Sequence, residues 1–444
     1  MQMNSFVNII TVFNDTRGRT IDKLVSVYND HKRLKTLIAK SIDGNLSQKE
    51  IKGKNILLKP NWVKHSYTPD DDICLRTNDN FLIAVLDIIL EFKPYSVIIG
   101  DAPIQGCNWD KVVTEELKIR IDNLSNKYNV PVKIKDFRRR IYDPSKNELL
   151  AELHPLSDYV IFDLAKDSYL EEITVPGKNI FRVTNYDPDR MADAHSPGVH
   201  KYCIAKDFFE ADVVISLPKV KTHQKAGITG AVKNIVGING DKDFLPHHRI
   251  GGTKMGGDCY PGGSRLRYLS ELLLDKANRK QGRKSYLFWQ KLSSLLWRLS
   301  GPGPEYSLAA GWYGNDTTWR MVMDLNIIAI NGNIDGTLSG NPHRKFYSLC
   351  DGIIGGQGNG PLEPEPLPLG IISFTDNSFV NDRAMAMLMG FSYFKVPLLN
   401  KIREYDTKCN IMFNGKNVSL KDLSDYLIET IPPQGWVSYF KRVK

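Results

Sequence analysis

A chain of 444 residues, 42% hydrophobic and 25% charged, is long enough for two domains or one large α/β domain, and its composition excludes a disordered polypeptide. The formal net charge of +9 fits an acidic substrate, an anionic surface or nucleic acid, selects none of them, and is equally explained by scattered surface lysines and arginines. The six cysteines (Cys74, Cys107, Cys203, Cys259, Cys350, Cys409) show no C-x-x-C spacing. That argues against an iron–sulfur cluster and for thiols kept in a reducing compartment. The N-terminal residues lack the basic start and apolar core of a signal peptide, and no apolar stretch reaches the roughly 18–20 residues of a membrane span. A cytoplasmic location is expected.

In chain order, residues 1–50 read as a polar, helical lead-in. Asn55–Lys59 is an apolar run stopped by Pro60, as for a buried strand meeting a loop. Apolar residues at 81, 85, 88, 89 and 92 behind a capping Asn78 predict an amphipathic helix over Asn78–Phe92. Tyr95–Gly100 is a second strand, Trp109–Tyr128 a second helix and Pro131–Phe137 a third strand. This alternation predicts a Rossmann-like α/β fold, a parallel sheet with helices on both faces. Tyr159–Leu164 and Ile180–Val183 are strands of a less regular region, and Ala211–Leu217 (ADVVISL) is the clearest buried strand. Beyond a glycine-rich loop at 250–263, helices are expected within 265–300, the second of them basic and aromatic. It packs on its own domain or a partner subunit, or touches a membrane surface through 285–300. Gly301–Pro304 breaks it. A helix at Asp316–Ile330, strands at Lys345–Ile354 and Leu369–Phe374, and helices at Asn377–Leu388 and Leu420–Thr430 complete the chain. The division expected is 1–50 lead-in, 51–249 α/β domain with the main motif, 250–320 loop and helical insertion, and 321–444 a second, smaller α/β portion.

Ligands of open α/β sheets sit at the carboxyl ends of strands. The residues there are Lys59 and Asn61 after the first strand, Asp101 after the second, and the segment LPKVKTHQKAGITGAVKNIVGING after Ala211–Leu217. Lys219, Lys221 and His223 alternate, so an extended chain points all three to one side. Gly227, Thr229 and Gly230 form a tight turn into a helix carrying Lys233 and Asn234, whose free N–H groups suit an anion. In this reading Lys59, Asn61, Lys219, Lys221, Gly227, Thr229, Gly230 and Asn234 bind an anionic substrate. Asn359 joins them from the glycine-rich run DGIIGGQGNGP, which lacks the Gly-Lys-Ser/Thr ending of a nucleotide loop. His223, Lys233 and Asp101 are the candidate catalytic groups. Adjacent His247 and His248 diverge, so one of them joins His223 as base or metal ligand.

The runs LLKPNWV (57–63), IIGDAP (98–103), SLPKVKTHQKAGITGAVKNIVG (216–237) and DGIIGGQGNGP (351–361) resemble the bacterial family called domain of unknown function 362, over roughly 55–375. Some of its members carry a four-cysteine iron–sulfur segment, which this chain lacks. The order His223, Ala226–Gly227, Gly230, Lys233 is also similar, more distantly, to nickel-pincer lactate racemases. That resemblance implies a cofactor-holding or anion-binding Lys233 and a metal ligand at His247 or His248. Their Asp-x-Thr-Arg and Gly-x-His-Arg motifs are not evident, which argues against the nickel cofactor. The functions expected are an enzyme for a small or nucleotide-linked anion, a metal- or cofactor-dependent isomerase or oxidoreductase, or an accessory protein on nucleic acid or a membrane surface. The lack of a zinc finger, an RNA-binding aromatic motif and a long basic run ranks the last of these lowest. Cofactor and oligomeric state stay open.

Overall fold

The computed structural model describes residues 5–13, 19–66, 69–143, 149–301, 310–342, 344–401 and 409–437. Twelve strands form one sheet: β1 Ser5–Thr11, β2 Asn55–Pro60, β3 Ser96–Asp101, β4 Val132–Asp136, β5 Val213–Leu217, β6 Lys219–His223, β7 Gly227–Thr229, β8 Lys345–Asn359, β9 Glu363–Leu367, β10 Ile371–Thr375, β11 Cys409–Phe413 and β12 Lys416–Asn417. The spatial order is β12–β11–β1–β10–β8–β5–β2–β3–β4, with β6 beside β7 and β8, and β9 beside β8. From β8 through β5, β2 and β3 to β4 all pairings are parallel. β10 runs antiparallel to both β8 and β1, and β1 is parallel to β11. The fold is a mixed α/β one built on a mostly parallel central sheet flanked by helices, as the alternation of elements predicts.

Alternation along each strand divides the interior in two. Ile56, Leu58, Val97, Ile99, Val213 and Ile215 face one side, where they meet helices α1 Ile21–Asn29, α2 His31–Ile42, α3 Asp79–Glu91 and α4 Glu115–Tyr128. Leu57 and Val214 face the other side. There they meet α5 Ala231–Asn234, α8 Thr318–Asn331 and α9 Ser378–Leu388. Between α5 and α8 in sequence lie α6 Arg265–Asn278 and α7 Ser285–Leu299.

Several expectations change. The lead-in holds a strand, β1, as well as helices, because distant chain at 371–375 and 409–413 supplies its partners. The helix at 79–91 is capped by Asn78 as expected, but Phe81 through Leu90 are all buried. Its outer face is covered by α2 and α4, so it is not amphipathic. Asp422–Tyr426 forms only a short 3-10 turn where a helix over Leu420–Thr430 is expected, since Leu427 turns extended and the Ile428 amide donates to Leu388 O at 2.7 Å instead of to its own turn. The break at Gly301–Pro304 lies, beyond Gly301, outside the described residues. α7 packs on α6, where Ser270 Oγ donates to Ser293 O at 2.7 Å and Lys276 Nζ sits 3.6 Å above the Trp289 ring. Among the described residues, no helix is long and apolar enough to cross a membrane.

Candidate functional site

The carboxyl ends of β2, β3 and β5 meet at one buried network. Lys59 Nζ donates to Asp101 Oδ1 at 2.7 Å, Pro60 O at 3.0 Å and Asn234 Oδ1 at 3.3 Å. Asp101 Oδ2 accepts from the Trp62 amide at 2.6 Å. Asn234 ties the strands together, donating to Ser216 Oγ at 2.8 Å and Lys59 O at 3.2 Å and accepting from Asn61 Nδ2 at 3.0 Å. Gly237 makes room for the ion pair: a Cβ there would lie 1.8 Å from Asp101 Oδ1. Asp101, expected as a proton carrier, has both oxygens committed. It and Lys59 form the floor of the site.

Past Pro218 the chain runs as β6, with Lys219, Lys221 and His223 at alternate positions, and the structure gives the three different surroundings. Lys219 Nζ lies outside the cavity, bound to Asp351 Oδ2 at 3.0 Å and Tyr28 Oη at 3.1 Å. Lys221 Nζ donates to the carbonyls of Leu75 and Pro361. His223 reaches the cavity wall, its Nδ1 accepting from the amides of Lys225 at 3.0 Å and Ala226 at 3.2 Å.

The expected tight turn at 227–230 is instead a return strand, β7, paired with β6, and the reversal falls at 224–226. The helix that follows, α5, is a single turn whose amides at Ala231 and Val232 donate to Asp382 Oδ1 at 2.8 Å and Oδ2 at 2.9 Å. Asp382 stands where a Cβ on Gly230 would be, 2.3 Å from its Oδ1. The helix end expected to cradle an anion is therefore filled by the protein's own carboxylate. Gly227 and Gly230 shape the backbone outside the cavity lining. Asn359 is outside it as well, accepting from the Gln434 amide at 3.1 Å and from Gln224 Nε2 at 3.4 Å.

Beside this network lies a cavity of about 440 Å³ lined by Lys59, Lys221, Lys225, Lys233, Lys242, His223 and His247, with Asp101 as the one lining carboxylate among the described residues. Lys242 Nζ donates to Ala102 O at 3.0 Å. The ammonium groups of Lys225 and Lys233 have no hydrogen-bond or ion-pair partner among the described residues. Burial lowers Lys233 from the ordinary lysine value of 10.5 to about 7, and Lys225, Lys242 and Lys59 push it the same way by repulsion. Burial likewise brings Lys225 and Lys242 to about 8. Burial first, and repulsion from Lys233 and Lys225 second, hold His223 and His247 well below the ordinary histidine value and so neutral.

The two rings present opposite faces. With Nδ1 accepting two amide protons, neutral His223 carries its hydrogen on Nε2. His247 Nδ1 lies 2.6 Å from Leu245 O, which can only accept, so His247 carries its hydrogen on Nδ1 and leaves Nε2 bare. Four buried polar atoms of lining residues have no partner: Asn61 Oδ1, Gln105 Nε2, Thr184 Oγ1 and Thr229 Oγ1. Such atoms are costly to leave unmatched and mark where a ligand's polar groups would fit. His248 turns away from His247. One of its ring nitrogens, Cys259 Sγ and a Glu271 oxygen lie within 4.8 Å of one another, a group able to hold a metal.

Of the residues singled out from sequence, Lys59, Asn61, Asp101, Lys221, His223, Thr229, Lys233, Asn234 and His247 line the cavity together. Lys225, Lys242, Gln105 and Thr184 were missed. Lys225 stood in the central motif, but alternate spacing from Lys219 does not select a residue beyond the hairpin turn.

A search of curated proteins found no match. Among solved structures, a crystal structure of a protein from Thermotoga maritima aligns at 8% identity and a TM-score of 0.33, over 79% of this chain and 56% of that one. The chain thus spans little more than half of that protein's length, and so low a likeness carries no argument. The comparisons do not show the similarity to lactate racemases suggested by the spacing from His223 to Lys233. A family model described as domain of unknown function (DUF362) matches residues 162–387, which take in His223, Lys225, Lys233, Lys242 and His247. With half of its length inside that match, the chain belongs to the DUF362 family.

Proposed function

We propose that the protein is an enzyme acting on a small, multiply anionic substrate, a carboxylate or phosphate compound up to about nucleotide size, bound in the lysine-lined cavity. One observation carries this reading: five lysines and a single carboxylate line one cavity of about 440 Å³, and two of those lysines have no partner. Cations gathered in a poorly hydrated space repel one another, and an anion converts that repulsion into binding. Lys225 and Lys233 hold the anion, and Thr229 and Asn61 supply polar contacts. His247 is the base, since its bare Nε2 can take a proton. His223 donates from Nε2 to an oxygen that gains charge in the reaction.

Calorimetric titration with di- and tricarboxylates and with phosphorylated metabolites tests the first step. At pH 7.5 Lys233 is mostly neutral, so anion binding should take up a proton, seen as a dependence of the binding heat on the buffer's ionisation enthalpy. Once a turned-over ligand is found, His247→Gln should keep its affinity and lose roughly 100-fold or more in kcat. Failure of all such anions to bind, or equal affinity in Lys225→Met and Lys233→Met, overturns the proposal.

A further inference from the structure

Behind the cavity wall, on the far side of the His247–His248 pair, lies a second cluster that the proposed reaction does not use. A ring nitrogen of His248, the sulfur of Cys259 and a carboxylate oxygen of Glu271 lie within 4.8 Å of one another, and all three residues are buried. They come from three segments. His248 is in the short bridge that pairs with Phe181–Arg182, Cys259 is in the glycine-rich loop, and Glu271 is at the middle of α6. The backbone prepares their meeting: Gly251 N donates to Glu271 Oε2 at 2.9 Å, Cys259 N donates to Gly251 O at 3.1 Å, and the Arg249 amide donates to Asp258 Oδ1 at 2.5 Å.

Two observations make this more than a chance grouping. His248 Nδ1 and Glu271 Oε1 are buried with no hydrogen-bond partner, the condition a protein seldom leaves unexplained. The donor set also has a chemical logic. A thiolate and a carboxylate carry two negative charges and an imidazole none, so a divalent cation neutralises the cluster in a place where neither anion could stand alone. Thiolate and imidazole together select zinc and its neighbours over magnesium or calcium, which prefer oxygen ligands.

We propose that His248, Cys259 and Glu271 bind one divalent transition-metal ion, Zn²⁺ by preference, as a structural clamp behind the cavity. Three protein donors and one further ligand complete the tetrahedron that zinc favours. Binding breaks the hydrogen bond between Cys259 and Glu271, releases to solvent the protons that burial keeps on the two groups and changes no oxidation state. The ion joins the 248–249 bridge, the glycine-rich loop and α6, and so fixes the backbone that aims the neighbouring His247 into the cavity. Lys225 of the cavity lies close enough to act on Cys259 and His248 by charge, but the inference does not rest on the function proposed above.

The test uses the full-length protein produced with zinc supplied and without an added metal-binding tag. Elemental analysis should find one zinc per chain. X-ray absorption at the zinc edge should show one sulfur at about 2.3 Å together with nitrogen and oxygen ligands at about 2.0–2.2 Å. Exchange with Co²⁺ should produce a thiolate-to-cobalt charge-transfer band. Cys259→Ser should lose that band and roughly 100-fold or more in affinity, and Cys409→Ser, remote from the cluster, should keep both. No stoichiometric zinc, a ligand shell without sulfur, or a band retained in Cys259→Ser overturns the proposal. If Cys259→Ser does not fold, the absorption spectrum of the unaltered protein still decides the matter.

Discussion

Replacing Lys233 by methionine removes a cation that the fold strains to contain. Bringing an ammonium from 10.5 to about 7 corresponds to roughly 4–5 kcal/mol against its charged form. Partial solvent contact at this half-buried side chain reduces the figure to about 2–3 kcal/mol. The sign follows from proton counting. Below about pH 7 both folded and unfolded chains hold the proton and the penalty is fully present. Between about 7 and 10.5 only the unfolded chain holds it, so stability rises with pH through that window. Urea unfolding of both proteins from pH 6.5 to 9.5 should therefore find Lys233→Met the more stable by about 2–3 kcal/mol at the acid end, narrowing to under about 1 kcal/mol at the alkaline end. The same variant should bind anions poorly, so stability is gained where function is lost. A variant less stable than the parent, or a gap that does not change with pH, refutes the reasoning.

Gly237→Ala should place its methyl 1.8 Å from Asp101 Oδ1 and 2.7 Å from Lys59 Nζ, forcing apart a buried ion pair. The expected cost is about 3–5 kcal/mol in urea unfolding, and a loss under about 1 kcal/mol would show that the pair is not held as described. Lys219→Met leaves Asp351 buried with only Tyr28 Oη and the Asn78 amide, so about 3 kcal/mol of stability should go while anion affinity measured by calorimetry stays unchanged. An affinity loss matching that of Lys233→Met would return Lys219 to the site.

What the sequence disclosed follows the range of the interactions involved. Ile56–Leu58 and Val213–Ile215 are unbroken apolar runs with a proline soon after, at 60 and 218, and a strand buried on both faces needs no other sign. The residues after them follow by topology, so Lys59, Asp101 and His223 could be placed at one crevice. β1 could not be read in this way, because SFVNIIT becomes a strand through partners at 371–375 and 409–413. The helix N-terminus at Ala231 was legible as an anion site, but its occupant, Asp382, comes from a helix about 150 positions onward in sequence. No local pattern predicts that closure. The same holds for the role of His248: adjacent histidines on an extended chain must diverge, yet only the fold brings Cys259 and Glu271 to meet the second ring.

The placement of β1 bears on how the molecule is made. Its seven residues lie between β10 and β11, so this strand gains its neighbours only after some 360 further residues are made, on the order of 20–70 s at common translation rates. Meanwhile an uncharged, proline-free, β-prone segment waits with both edges open, the composition that favours association between chains. The strands at 55–136 and 213–217 pair with one another and can form before the partners of β1 exist. A nascent chain stalled before residue 371 would carry a sticky segment at 5–11 with nothing of its own to hold.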